Sequence, residues 1–73
     1  MKQTVDARGY VCPMPVFLTQ KAVQTGAPEI LEVLVDDKCA VENISRFAHH
    51  QGYSISVQPM EDAAFCLTLE KQA

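Results

Sequence analysis

The run Ile30–Val35, ILEVLV, is nearly unbroken aliphatic chain, and it lies between two stretches of a different period. Such a run reads as an interior strand, covered by other elements rather than facing water along one side. Upstream, Met14, Phe17, Leu18 and Ala22 recur at intervals of three and four, which predicts a helix with one buried stripe. Gly26 closes that helix, and Pro28 prevents its continuation. Downstream, Asp36-Asp37 offers an N-cap, and Val41, Ile44, Phe47 and Ala48 form a second helical stripe ending at Gly52.

The ends of the chain complete the pattern. Thr4–Ala7 reads as a short strand with Val5 and Ala7 on one face. Tyr53, Ile55 and Val57 alternate with Ser54, Ser56 and Gln58, as in a half-buried strand. Pro59-Met60-Glu61-Asp62 turns the chain, and Phe65, Leu67 and Leu69 alternate in a final strand. The order is therefore β-α-β-α-β-β. Two strand–helix units followed by a hairpin imply an α/β (α+β) two-layer sandwich with a mixed four-stranded sheet. Right-handed crossovers place both helices on one face of it. The other face would carry Thr4, Glu32, Leu34, Ser56, Cys66 and Thr68, mostly small or polar, and open to water.

Composition narrows the function classes. With 73 residues the chain is expected to form a single domain, residues 1–73. A domain of this size buries only about 60% of the surface its unfolded chain exposes, which implies modest stability. The net charge is −3 and the six basic residues are scattered. Nucleic-acid binding normally needs a basic patch or stripe, and a membrane-surface role needs a basic amphipathic helix; neither is visible. The start, MKQTVDARG, has no apolar segment of the kind a signal peptide carries, and the expected location is the cytoplasm. Three cysteines at irregular spacing argue against a secreted disulfide scaffold.

One of those cysteines stands in a constrained setting. Cys12 precedes Pro13-Met14-Pro15 and follows the loop Arg8-Gly9-Tyr10-Val11. If Cys12 is the N-cap of the first helix, Pro13 and Pro15 occupy positions where the missing N–H removes an otherwise unpartnered donor. The N–H of Met14 and the helix dipole would then face the sulfur and favour its anionic form, with Arg8 adding positive charge. An ordinary thiol, with a pKa near ~8.5, is only a few per cent ionised at neutral pH, so such an environment raises its reactivity. No cysteine lies three positions on, where a thioredoxin-like motif keeps its resolving partner. The chemistry expected is that of a single thiol that accepts a group and passes it on.

In these residues the chain resembles a known family. DARGYVCPMP matches the signature D-x-[RG]-G-x-x-C-P-x-P of the small sulfur carriers called TusA, SirA or YedF-like. The resemblance runs from Val5 to the LTLEK end and includes the EVLVDD strand exit and the Gly52-Tyr53 entry to the third strand. It implies strand order 1-2-4-3 and sulfur carried as a persulfide on Cys12. Asp6, Arg8, Gly9, Pro13, Met14 and Pro15 then support the cysteine, and Lys38 and Arg8 assist partner docking. The implied partners are a cysteine desulfurase or other sulfur donor and an acceptor protein of a sulfur relay. No cofactor or metal is implied. The stretch AVENISRFAHHQGYSISV looks most like the amino-terminal domain of YedF-type proteins linked to selenium metabolism. Those usually continue into a DsrE-like domain, and the EKQA end fits either a stand-alone chain or a piece of a longer one. Lys38 departs from the proline that many relatives have there.

Other residues carry competing readings. Cys39 opens the second helix as Cys12 opens the first, which brings both thiols to one sheet edge and allows a redox pair. Asp36 and Asp37 beside it would disfavour its thiolate, so a small residue in a first helical turn is the simpler reading. Cys66 is expected mid-strand and structural. His49 and His50 point about 100° apart on a helix and cannot chelate one ion together. Asp6 is expected to order the loop before Cys12 by accepting backbone N–H bonds. The functions in competition are a sulfur or selenium carrier working with a donor enzyme, a non-enzymatic interaction module, and a thiol redox sensor using Cys12 and Cys39.

Overall fold

The computed structural model describes residues 2–11, 14–26 and 28–72. Its elements are β1 (Lys2–Asp6), α1 (Met14–Gly26), β2 (Ile30–Val35), α2 (Lys38–His50), β3 (Tyr53–Pro59) and β4 (Phe65–Lys71). The strands form one mixed sheet in the order β1-β2-β4-β3, and both helices cover one face. β1 pairs parallel with β2, while β4 pairs antiparallel with β2 and with β3. The architecture is the expected two-layer sandwich.

β2 has the bounds its aliphatic run indicates, and Leu31, Val33 and Val35 are fully buried beneath the helices. They meet Leu69, Leu67 and Phe65 across the β2–β4 ladder, which makes these two strands the centre of the core. β1 starts earlier than its apolar pattern suggests. Parallel pairing from Lys2 opposite Ile30 draws two polar residues into the strand, and Lys2 Nζ lies 3.3 Å from the Glu32 carboxylate. Ala7, expected inside the strand, follows it, but its N–H still donates to Leu34 C=O at 2.8 Å. On the open face Thr4, Glu32, Thr68 and Ser56 form one row across the sheet, with Leu34 and Cys66 adjacent in the next. All six are half-buried or exposed, as expected for a face without helices.

α1 is rotated from its expected orientation. The residues turned fully inward are Pro15, Thr19 and Val23, with Val16, Leu18 and Ala22 packed beside them. Met14 and Phe17, expected in the buried stripe, are exposed. The cause is a buried threonine: Thr19 donates its hydroxyl to Pro15 C=O at 2.9 Å, so its polarity is satisfied within the helix. A hydrophobic pattern cannot register a threonine or a proline as core, and it therefore selects the neighbouring stripe. Because Pro15 is itself packed, its ring supports the core as well as shaping the first turn.

α2 follows its pattern more closely. Ala40, Ile44 and Ala48 are buried, with Val41 and Phe47 against the core. Asp37 is the N-cap, accepting the Cys39 N–H at 3.0 Å. Gly52 leaves the helix at φ +79°, a left-handed conformation in which glycine carries no Cβ penalty. Beyond it, the Tyr53 hydroxyl is buried and donates to Pro28 C=O at 2.9 Å, tying β3 to the loop between α1 and β2. Pro59 still belongs to β3, so the hairpin turn falls later than expected. It is closed by Met60 N–H to Ala64 C=O at 2.8 Å, with Asp62 and Ala63 at positive φ. No described helix is long and apolar enough to cross a membrane.

Candidate functional site

The site is built from the loop that leaves β1 and enters α1. Ala7 is fully buried and fixes the loop's first residue to the sheet. Arg8 and Gly9 then turn outward, with Gly9 at φ +86°, and Tyr10 N–H reaches back to Ala7 C=O at 3.4 Å. Tyr10 and Val11 are exposed, and α1 begins at Met14. Cys12 and Pro13 lie outside the described residues. The frame around them is set on one side by this turn and on the other by buried Pro15.

Two carboxylates hold the turn. Asp6 accepts the Arg8 backbone N–H at 3.2 Å and takes a forked pair of bonds from the Arg8 guanidinium, Nε and Nη2 both at 2.9 Å. This supplies the partner for Asp6 in ordering the loop. It also means that Arg8 is already paired, with its charge directed at Asp6. The second carboxylate is Asp36, whose Oδ2 accepts the Gly9 N–H at 3.0 Å across 27 positions of sequence. The doublet Asp36-Asp37 therefore divides its work: Asp37 caps α2, and Asp36 ties the loop to the exit of β2. The role of Asp36 was missed by the sequence reading. The only signal for it is a carboxylate directly after the strand that neighbours the loop-bearing one.

The electrostatics follow from these bonds. Hydrogen bonds from the Arg8 side chain, then from its backbone, lower the Asp6 carboxyl from 3.8 to about 2. Asp6 in turn pushes the Arg8 guanidinium above its ordinary value. Because the folded value of Asp6 lies below the ordinary one, the interaction is present in full above about 4 and is lost as pH falls through about 2. In Arg8→Ala the Asp6 carboxyl is expected to titrate above 2 but still below 3.8, because the backbone N–H at position 8 remains a donor, read from its side-chain carbon shift in an NMR titration. A midpoint still near 2 in that variant would show that Arg8 is not the cause.

The Met14 N–H donates to Val11 C=O at 2.9 Å, and the Cys12 sulfur it is expected to face lies outside the described residues. That bond uses the Met14 donor, and Pro15 contributes none. Lys38 is exposed at the first position of α2. Cys39, next to it, is exposed and its sulfur accepts from Asn43 Nδ2 at 3.4 Å, while Cys66 is half-buried in β4. His49 and His50 sit exposed in the last turn of α2, far along the chain from the loop. Among the described residues no three His, Cys, Asp or Glu side chains gather around a common point.

A family model described as Sulfurtransferase TusA matches residues 3–71, nearly the whole chain. The chain belongs to the TusA family. Among similar proteins, a putative sulfur carrier protein of Methanocaldococcus jannaschii is 38% identical over 68 residues, covering 92% of this chain and 91% of its own. A putative sulfur carrier protein of Bacillus subtilis is 33% identical over 60 residues, covering 81% and 80%. Among solved structures, a SirA-like protein from Desulfitobacterium hafniense superimposes with a TM-score of 0.87 at 27% identity. That match covers 97% of this chain and 99% of the other. Membership in the TusA/SirA group fits the loop–helix junction described above, since its signature spans Asp6 to Pro15.

Proposed function

We propose that this TusA-family chain carries sulfane sulfur as a persulfide on Cys12, receiving it from one protein and giving it to another. The observation that carries the reading is the match to the family over residues 3–71, with C-P-x-P at the junction where the β1 exit loop enters α1. Relatives described as putative sulfur carriers support it. The reaction is an exchange without net oxidation. The Cys12 thiolate attacks the outer sulfur of a donor persulfide, a new S–S bond forms, and the donor's S–S bond breaks to leave its thiolate. Delivery to an acceptor thiolate is the same step in reverse order.

The donor is a cysteine desulfurase or an enzyme of similar chemistry, and the acceptor is a sulfur-relay protein of the DsrE-like kind. The chain acts in the cytoplasm, with no cofactor. Asp6, Arg8, Gly9 and Pro15 shape the loop, Pro13 and Met14 follow the cysteine in sequence, and Lys38, exposed at the start of α2, assists partner docking. The likeness of residues 40–57 to YedF-type proteins makes selenium a second element to test.

Incubation with a cysteine desulfurase and cysteine, followed by intact mass, tests the proposal: a carrier gains about 32 Da per sulfur. A loss of about 2 Da would mean a disulfide and a redox role. An unchanged mass would leave an interaction module that uses no thiol.

A further inference from the structure

The rotation of α1 leaves Met14 and Phe17 outside the core, and with Tyr10 and Val11 of the preceding loop they lie within five residues of Cys12 in sequence. Val11 is 74% exposed, Phe17 55%, Tyr10 47% and Met14 39%. Met14 and Phe17 are three residues apart on α1 and so share a helical face. Val11 C=O accepts the Met14 N–H, which holds these two residues close together. From Tyr10 through Gln20 there is no charged residue, in a chain that is 21% charged. The cation nearest in sequence, Arg8, is engaged by Asp6. Four exposed apolar side chains within eight residues of so small a domain mark an interaction surface.

Sulfur exchange determines what covers this surface. In the transfer the sulfane sulfur lies between the two cysteine sulfurs, one S–S bond of about 2 Å forming as the other breaks, so the partner's cysteine sulfur comes within about 4 Å of the Cys12 sulfur. The residues on either side of that partner cysteine then come close to the chain neighbours of residue 12, which are Tyr10, Val11 and Met14, with Phe17 one helical turn further on. A charge there would lose hydration against these apolar side chains. We propose that Tyr10, Val11, Met14 and Phe17 form the docking face for the cysteine-bearing segment of the partner protein, and that this segment is apolar and uncharged. The inference rests on the carrier reading. It gives docking to packing rather than to the charges of Arg8 and Lys38.

The test uses acetylated pentapeptides with a central cysteine persulfide, flanked by Leu and Val, by Glu, or by Lys. Loading of Cys12 is followed by intact mass and peptide mapping, with free N-acetylcysteine amide as the reference acceptor for each peptide's intrinsic reactivity. The apolar peptide is expected to load Cys12 about tenfold faster than either charged one after that correction, a modest difference in docking free energy. Val11→Ser and Phe17→Ser should each remove most of the preference, while alkylation of Cys12 by iodoacetamide stays within about twofold. Equal rates for the three peptides, or faster loading from a charged one, overturn the docking inference and leave the carrier reading in place. Failure of every peptide to load a Cys12 that iodoacetamide still alkylates overturns the carrier reading, and the inference with it.

Discussion

Cys12→Ser should end sulfur loading, whereas Cys39→Ser and Cys66→Ser should leave most of it. Serine keeps the shape of the side chain but replaces a polarizable, readily ionised sulfur by a hydroxyl that is weakly nucleophilic without an activating base. It cannot hold sulfane sulfur, so the gain of about 32 Da should vanish rather than slow. The other two thiols stand in different settings. Cys66 is half-buried in β4, between Leu34 on one neighbouring strand and Gln58 on the other, where a protein donor has poor access. Cys39 is exposed, but its backbone is held by the Asp37 cap and its sulfur already accepts from Asn43. Intact mass and peptide mapping of the three variants decide the matter. Loading that survives Cys12→Ser and disappears in Cys39→Ser would move the site to α2.

The parts of this molecule that were legible in its sequence are those in which local pattern and tertiary packing agree. ILEVLV is a strand with the bounds its residues suggest, because both of its neighbours in the sheet and the helices above it reward an aliphatic run. The family signature was legible for a related reason: loop, cysteine and prolines are contiguous, so no fold is needed to bring them together. What escaped depended on partners distant in sequence or on polar groups satisfied locally. Asp36 meets Gly9 only because β1 and β2 are parallel neighbours. Lys2 and Gln3 join β1 only because β2 offers an edge. The facing of α1 turns on Thr19, whose buried hydroxyl has its acceptor one helical turn away. Arg8 read as a free cation until its forked pairing with Asp6 was seen. The finer likeness to YedF-type proteins depends on surface residues of α2 and β3, which packing constrains least.

The facing of α1 has a second measurable consequence, in stability. Leu67 lies fully buried on β4, opposite Val33 on β2 and Val57 on β3, with no room for solvent to fill a gap. Truncation to alanine loses the transfer free energy of the removed atoms and leaves a cavity, at a cost of about 3 kcal/mol. A domain of this size holds only about 4–10 kcal/mol in total, so Leu67→Ala should remove a large share and lower the urea midpoint sharply. Phe17→Ala removes a larger side chain, yet should change stability by less than about 0.5 kcal/mol, because that ring already faces water. If the helix were turned as its hydrophobic period alone suggests, the Phe17 change would rank with the core truncations. A urea midpoint for Phe17→Ala as low as that for Leu67→Ala would therefore place the ring in the core, and would remove it from the surface that docks a partner.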